Sequence, residues 1–166
     1  HAVLVEKIAR LANLKGRAAS DLVDGGTNGT TDIFAFNVAG GGLVLVSTDA
    51  SAAGSGNGAS EAPSMSGDGR FVAFVKRATN DVIGGTSISE IYLRDVEAGA
   101  TAWVSDGVGG AFANPTNRFR CTDASVSENG DAVAFLVSDV LASAGFLFRY
   151  DRASTIATLI ASNVPT

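Results

Sequence analysis

The sequence predicts an all-β chain built from about three repeats of four short antiparallel strands. Segments in which apolar residues alternate with polar or smaller ones recur in the same order along the chain, and Asp-Gly or Asn-Gly pairs separate neighbouring segments. Such pairs are the strongest short-range signal for a β-hairpin, because glycine adopts the positive φ of a tight turn without a steric penalty. The composition agrees with many turns in a folded chain, since 46% of the 166 residues are hydrophobic and 20 are glycine.

The repeat is clearest in its third strand. Residues 32–37 align with residues 90–95 at an offset of 58, and these align with residues 146–151 at an offset of 56. Each of the three segments ends in Asn or Asp, and a short turn then leads into the fourth strand. Internal periods of this length indicate a repeat architecture.

The first two strands of a repeat are joined by the Asp-Gly and Asn-Gly hairpins. Residues 63–74 align with residues 124–135 at an offset of 61, so that Asp68-Gly69 matches Asn129-Gly130. Four antiparallel strands per repeat form the blade of a β-propeller. We therefore predict a single repeat domain over residues 1–166, a partial propeller with an incomplete blade one at 1–48, blade two at 62–105 and blade three at 123–162.

The N-terminal residues allow three interpretations. One places the second strand of blade one at residues 1–7, which then align with residues 70–76 of blade two, and another places it at residues 10–14. The third is a short amphipathic helix whose apolar side is formed by Leu4, Ile8, Leu11 and Ala12. In each version blade one lacks its first strand.

The charge balance excludes some classes of partner. The chain has 12 Lys and Arg against 17 Asp and Glu, which gives a net charge of -5. It therefore offers no basic face for phosphates, and we expect no nucleic-acid partner. Its apolar runs are far shorter than the ~20 residues of a membrane helix, so we expect no membrane span.

Catalysis by this chain is not expected. A serine or cysteine nucleophile usually needs a histidine base, and the only histidine is His1. Cys121 is the only cysteine, which excludes an internal disulfide framework and a Cys/His zinc site. A lone cysteine before a strand is more typical of packing than of a reactive thiol. We predict no catalytic residue.

One loop has part of the spacing of a calcium site. Asp24, Asn28 and Asp32 supply side-chain oxygens at relative positions 1, 5 and 9, around a glycine at position 6. Position 3 is Gly26, so one carboxylate of the usual set is missing. The alternative is an Asn-Gly turn in which Asp32 binds the loop. Calcium at this site is the only cofactor that the sequence suggests.

A second candidate lies in the polar loop between blades two and three. Its aromatic and basic side chains predict an exposed contact surface. The residues are Phe112, Arg118, Phe119 and Arg120.

The repeats resemble the TolB-type, WD-repeat-like β-propeller repeats of bacterial extracytoplasmic proteins. Residues 63–74 are similar to that family's Ser-Pro-Asp-Gly-Arg turn and the apolar strand after it, and residues 90–95 to its Asp-Ile-Tyr-x-x-Asp strand. Residues 22–34 are similar to the Asp-Thr-Asn-Gly-x-x-Asp-Ile-Phe stretch of many Gly-rich members. The third copy departs most, since Asp131 replaces the arginine after the turn and Phe146 replaces an acidic residue. The resemblance implies a propeller, a periplasmic or secreted location and a role in protein interaction.

These observations lead to an expected function and its alternatives. A propeller closes to remove strand edges, whereas fewer than three blades leave inter-blade faces exposed. We therefore expect a part of a longer polypeptide or an association of copies. The expected role is a non-catalytic interaction or structural module that binds a protein partner or copies of itself through exposed blade faces. The alternatives are the propeller domain of a hydrolase with catalytic residues elsewhere, a self-assembling extracellular subunit and a calcium-dependent adhesive module.

Overall fold

The computed structural model describes residues 5–9, 30–37, 41–49, 54–77, 88–111, 119–139 and 144–162. Within these ranges the chain forms eleven β-strands in three antiparallel sheets, together with a 3-10 helix at Val108–Ala111. The all-β fold class is therefore confirmed. In this part of the chain no helix is long and apolar enough to cross a membrane.

Each sheet is one blade, and its strands follow one another in chain order. Blade one contains β1 (Val5–Ala9), β2 (Ile33–Asn37) and β3 (Gly42–Leu45). Blade two contains β4 (Ser60–Met65), β5 (Phe71–Lys76), β6 (Glu90–Asp95) and β7 (Ala100–Trp103). Blade three contains β8 (Phe119–Val126), β9 (Ala132–Asp139), β10 (Ala144–Asp151) and β11 (Ile156–Ser162).

The N-terminal residues form a strand where the sequence also allowed a helix. β1 pairs with β2 so that Val5 lies opposite Asn37, as Phe71 of blade two lies opposite Asp95. The helix is therefore wrong for residues 5–9, and the register of β1 differs by three residues from the 1–7 alignment, because Val5 takes the position of Phe71. The physical reason for a strand is the edge of β2, whose backbone N–H and C=O groups a helix would leave without strand partners. Residues 10–14 lie outside the described residues.

The first strands of blades two and three begin earlier than the alternating pattern indicates. Each contains a β-bulge, at Ala62 (φ 50°) and at Asp123 (φ 52°), where the register with the second strand shifts. A bulge interrupts the alternation of inward and outward side chains. The pattern therefore reveals only the part of each strand that follows the bulge.

Blade two is buried on both faces because it lies between the other two. In β5, Phe71, Ala73 and Val75 pack toward blade three, whereas Val72 and Phe74 pack toward blade one. All six residues of β5 are buried. This explains why β5 is almost continuously apolar, as is usual for strands covered on both sides.

Successive blades are joined by the same backbone hydrogen bond. The Ser60 N–H donates to the Thr31 carbonyl at 2.8 Å between blades one and two. The Cys121 N–H donates to the Ser89 carbonyl at 3.1 Å between blades two and three. These residues are equivalent in the repeat alignment, so both pairs of blades stack in the same way.

Candidate functional site

The hairpin turns of blades two and three share one hydrogen-bond network. In blade two the Ser66 hydroxyl donates to Asp68 Oδ1 at 2.6 Å and accepts from the Phe71 N–H at 2.9 Å. Blade three repeats both bonds at positions 61 residues later, at 2.9 and 3.0 Å. The glycines of the two turns, Gly69 and Gly130, have φ of 76° and 72°. The hairpins predicted from the Asp-Gly and Asn-Gly pairs are therefore present, with nearly identical geometry.

An ion pair closes each of these turns, with its charges reversed between the two blades. In blade two the Arg70 Nη2 binds the Asp95 carboxylate at 2.8 Å. This hydrogen-bonded guanidinium lowers the pKa of Asp95 below its usual value. In blade three Asp131 takes the position of Arg70, and Arg152 Nη2 binds it at 2.6 Å. The departure of the third copy at this position is therefore compensated by Arg152.

Phe71 forms the contact between the rims of blades two and three. Its ring lies against Gly130, where an added Cβ would approach the Phe71 Cδ2 to 2.1 Å. The Arg152 guanidinium lies 4.4 Å from the ring centroid, and the Arg70 guanidinium lies 5.1 Å from it. The ring thus fills the space between the two blades at this end, and two cations contact it.

At the same end, an open cleft lies between blades one and two. Its volume is about 510 Å³, within the usual range for ligand sites of roughly 300–1,000 Å³. Blade one contributes apolar side chains and blade two contributes its two turns. The lining includes Ala35, Phe36 and Val44 of blade one and Asp68, Gly69, Arg70, Val96 and Glu97 of blade two. We call this the inter-blade cleft.

Buried carboxylates hold the third and fourth strands together at the opposite end of the blades. Asp32 Oδ1 accepts a hydrogen bond from the Ser47 hydroxyl at 2.7 Å. In blade two the Ser105 hydroxyl donates to Glu90, which also accepts from the Trp103 Nε1 at 3.3 Å. Our sequence interpretation missed this contact, although its signal is an acidic residue followed by a serine 15 positions later in both copies.

Of the predicted calcium ligands, only Asp32 belongs to the described residues. Asp24 and Asn28 lie outside them, and Asp32 is buried with its Oδ1 bound to Ser47. Across the described ranges, no group of three or more His, Cys, Asp or Glu side chains could hold a metal ion. The calcium site stays a prediction.

The predicted contact surface is described only in part. Phe112 and Arg118 lie outside the described residues, and Arg120 is exposed in β8. Phe119 begins β8 and belongs to the core between blades two and three, with 8% of its surface exposed. It lies in the core because the strand starts at Phe119, whereas the sequence interpretation placed this residue in the loop. A surface at Phe112, Arg118 and Arg120 stays a prediction.

Cys121 is a core residue of blade three. Its side chain is fully buried, and its Sγ lies 3.9 Å from Glu90 Oε2. Burial, together with the nearby carboxylate, raises the pKa of the thiol well above its usual value. The nucleophilic thiolate is therefore disfavoured.

Comparisons with known proteins support this architecture. No protein-family model matches the sequence, and no curated protein sequence is significantly similar to it. Among solved structures, the dipeptidyl peptidase 4 of Porphyromonas gingivalis matches with a TM-score of 0.55 at 18% identity, over 81% of this chain and 23% of that one. The fold is a partial β-propeller. The propeller fold that the TolB-type resemblance implies is thereby confirmed.

Two further solved structures are similar, with lower scores. TolB from Acinetobacter baumannii matches at 18% identity with a TM-score of 0.47, over 81% of this chain and 27% of that one. The β-propeller domain of the Trilobed protease from Pyrococcus furiosus matches at 14% identity with a TM-score of 0.46, over 79% of this chain and 33% of that one. The chain therefore spans about a quarter to a third of these three proteins.

Proposed function

We propose that this chain is a non-catalytic β-propeller module of a secreted or periplasmic bacterial protein, and that it binds a further propeller blade through one face of blade three. A second copy of the chain can supply that blade. We call this surface the distal face. Its apolar residues lie on β9, β10 and β11, and they are Ala132, Ala134, Leu136, Leu147 and Ile156.

The distal face is the counterpart of a surface that is fully covered in blade two. Leu136 and Leu147 lie opposite each other in the sheet, as Val75 and Ile91 do in blade two. Val75 and Ile91 are only 3% and 0% exposed because blade three covers them. In blade three the equivalent leucines are only half-buried. This difference between equivalent residues carries the proposal.

The composition of the distal face fits a blade as its partner. Ala132 and Ala134 are small, which lets another sheet approach closely at the centre. Arg149 and Asp151 lie opposite Ala134 and Ala132 and form an ion pair at 3.5 Å. The face thus combines apolar side chains with a paired charge, and protein interfaces commonly contain both. Because such an interface joins two different faces, it is heterologous and extends into a ring or a fibre.

The non-catalytic part of the proposal rests on the chemistry of the described residues. Cys121 is buried, and the raised pKa of its thiol makes it a poor nucleophile. The alternative is the propeller domain of a hydrolase, which the fold similarity to a dipeptidyl peptidase favours. Peptide hydrolysis by a longer polypeptide that contains this chain, and not by the chain alone, would support that alternative.

Sedimentation velocity over a concentration series tests the distal face. We expect reversible self-association that Leu136→Glu weakens by about tenfold or more, because an unpaired carboxylate would be buried in the interface. Leu159→Glu is the matched control, since Leu159 is 42% exposed on β11 but pairs with Phe148, on the side of the sheet facing blade two. We expect no change in association from it.

Two results would contradict the proposal. One is a wild-type chain that remains monomeric at the highest soluble concentration. The other is an equal loss of association in the Leu136 and Leu159 variants, which would show that the distal face has no special role. Circular dichroism of each variant establishes that the β-sheet content is unchanged.

A further inference from the structure

We propose that the inter-blade cleft binds an aromatic side chain of a peptide segment in which a positively charged residue stands next to the aromatic one. The cleft lies between blades one and two and is separate from the distal face of blade three. This inference therefore does not rest on the proposed function. Three observations carry it, and they concern an internal precedent, a difference in residue type at one position of the repeat and the charge of the rim.

The precedent is the next interface along the chain. Between blades two and three the equivalent space holds the ring of Phe71, which lies against the backbone of Gly130. The Arg152 guanidinium covers the ring at 4.4 Å from its centroid. The fold thus shows that an aromatic ring fits between two blades beside the glycine of a hairpin turn.

The walls of the inter-blade cleft have the same backbone geometry. Gly69 and Val96, which line it, are the equivalents of Gly130 and Arg152 in the repeat. The Val96 N–H donates to the Arg70 carbonyl at 2.9 Å, and the Arg152 N–H donates to the Asp131 carbonyl at 2.9 Å. The two turns that contact Phe71 in one interface therefore have matching turns in the other.

Blade one has no aromatic residue at the position that would supply the ring. Val5 lies opposite Asn37 in the register that places Phe71 opposite Asp95. A valine has no ring. The described residues instead leave a cleft of about 510 Å³, to which Ala35, Phe36 and Val44 contribute apolar surface. We infer that a ring from another molecule takes this place.

The rim of the cleft has an excess of negative charge. Arg70 is bound by Asp95 at 2.8 Å and by Glu97 at 3.1 Å, and Asp68 lies in the same turn. Three carboxylates thus contact Arg70, two at its guanidinium and one at its backbone N–H. Glu97 and Asp68 are exposed and line the cleft. A cation beside the aromatic ring of the ligand complements this charge.

Titration of the full chain with three blocked tripeptides tests the ligand chemistry. The probes are acetyl-Lys-Phe-Lys-amide, acetyl-Lys-Ala-Lys-amide and acetyl-Glu-Phe-Glu-amide, followed by NMR of the backbone amides. We expect the first to bind about tenfold or more tightly than the second, because a phenyl ring is buried. We expect the third to bind more weakly than the first because the rim is acidic. The amide signals of Gly69 and Val96 should shift.

Two variants test the location. Val44→Phe places a ring from the chain itself at the cleft and should abolish binding of the Lys-Phe-Lys probe. Leu159→Phe is the control, because it adds the same ring at another strand position of similar exposure, 42% for Leu159 against 40% for Val44. Glu97→Lys changes a solvent-exposed side chain, so it keeps the test possible even if Val44→Phe fails to fold. It should weaken binding of the same probe several-fold.

Several results would overturn this inference. One is equal binding of the phenylalanine and alanine probes. Another is wild-type affinity in a folded Val44→Phe variant, and a third is a set of amide shifts remote from Gly69 and Val96. Loss of self-association alone, with probe binding intact, would count against the distal face and leave the cleft supported.

Discussion

Replacing Gly130 with alanine tests the contact between the rims of blades two and three. Gly130 has φ of 72°, a conformation that costs an L-residue about 1–2 kcal/mol. Alanine recovers about 0.4–1 kcal/mol by restricting the unfolded chain. The added Cβ would also lie 2.1 Å from the Phe71 Cδ2, and overpacking of this kind costs about 1–3 kcal/mol. We expect the free energy of unfolding to fall by about 2–4 kcal/mol.

Gly107→Ala separates the backbone effect from the steric one. Gly107 has φ of 75°, and no heavy atom lies within 4 Å of its added Cβ. This variant therefore carries the backbone cost alone, about 1 kcal/mol. The difference between the two variants measures the contact with Phe71.

Urea unfolding, followed by the fluorescence of the half-buried Trp103, gives both free energies. In a Phe71→Ala background the ring is absent, so Gly130→Ala should then cost no more than Gly107→Ala. Equal losses for the two glycine variants in the wild-type background would refute the reasoning, because they would show that the Phe71 ring moves aside at no cost.

Three further predictions follow from the buried and charged groups. Ser105→Ala removes the hydroxyl that binds Glu90 and the next backbone N–H, so the free energy of unfolding should fall by about 2–4 kcal/mol in urea unfolding; an unchanged midpoint would contradict this role. Cys121 should react with iodoacetamide only at the rate at which blade three opens, because it is buried and its thiol pKa is raised; modification as fast as that of the unfolded chain would contradict this. Arg70 stabilises the Asp95 carboxylate and so lowers the pKa of Asp95. The ion pair therefore contributes stability that is fully present above the unfolded pKa of about 3.9, and this stability is lost as the pH falls through the folded pKa. Asp95→Asn should therefore reduce the loss of stability below about pH 4, and identical acid unfolding of both proteins would contradict this.

Much of the sheet architecture could be predicted because its signals are local. A hairpin needs a residue that tolerates positive φ between two strands in which apolar and polar residues alternate. Gly69 and Gly130 are such residues, and each lies within a few positions of the strands that it joins. The strand pairing of blades two and three follows directly. Neither blade required knowledge of residues far away in the sequence.

The N-terminal strand could not be placed in the same way. Val5–Ala9 alternates too little to decide between helix and strand, and its partner, β2, begins more than 20 residues later. Only the pairing with β2 fixes its register. The argument for a ligand ring in the inter-blade cleft depends on that register, because only the pairing shows that valine stands where blade two has Phe71. The cleft was therefore beyond sequence reasoning.

The charge reversal in blade three shows a second limit of prediction from the sequence. When the copies are aligned, Asp131 looks like the loss of the ion pair that Arg70 forms in blade two. Its new partner, Arg152, lies one position after the residue that aligns with Asp95. Side chains that meet across two turns need not share a column of the repeat alignment. A compensating change of this kind is visible only in three dimensions.

The position of Arg152 makes the order of the blades matter. If a duplicate of blade two followed blade two in a lengthened chain, Val96 of the duplicate would face the ring of Phe71 where Arg152 now contacts it. The sheets would stack, but the cation–π contact would be lost, at about 0.5–2 kcal/mol for each added junction. Lengthening this array by copying a single blade would therefore accumulate weak junctions, whereas copying blades two and three as a unit would preserve the contact within each pair.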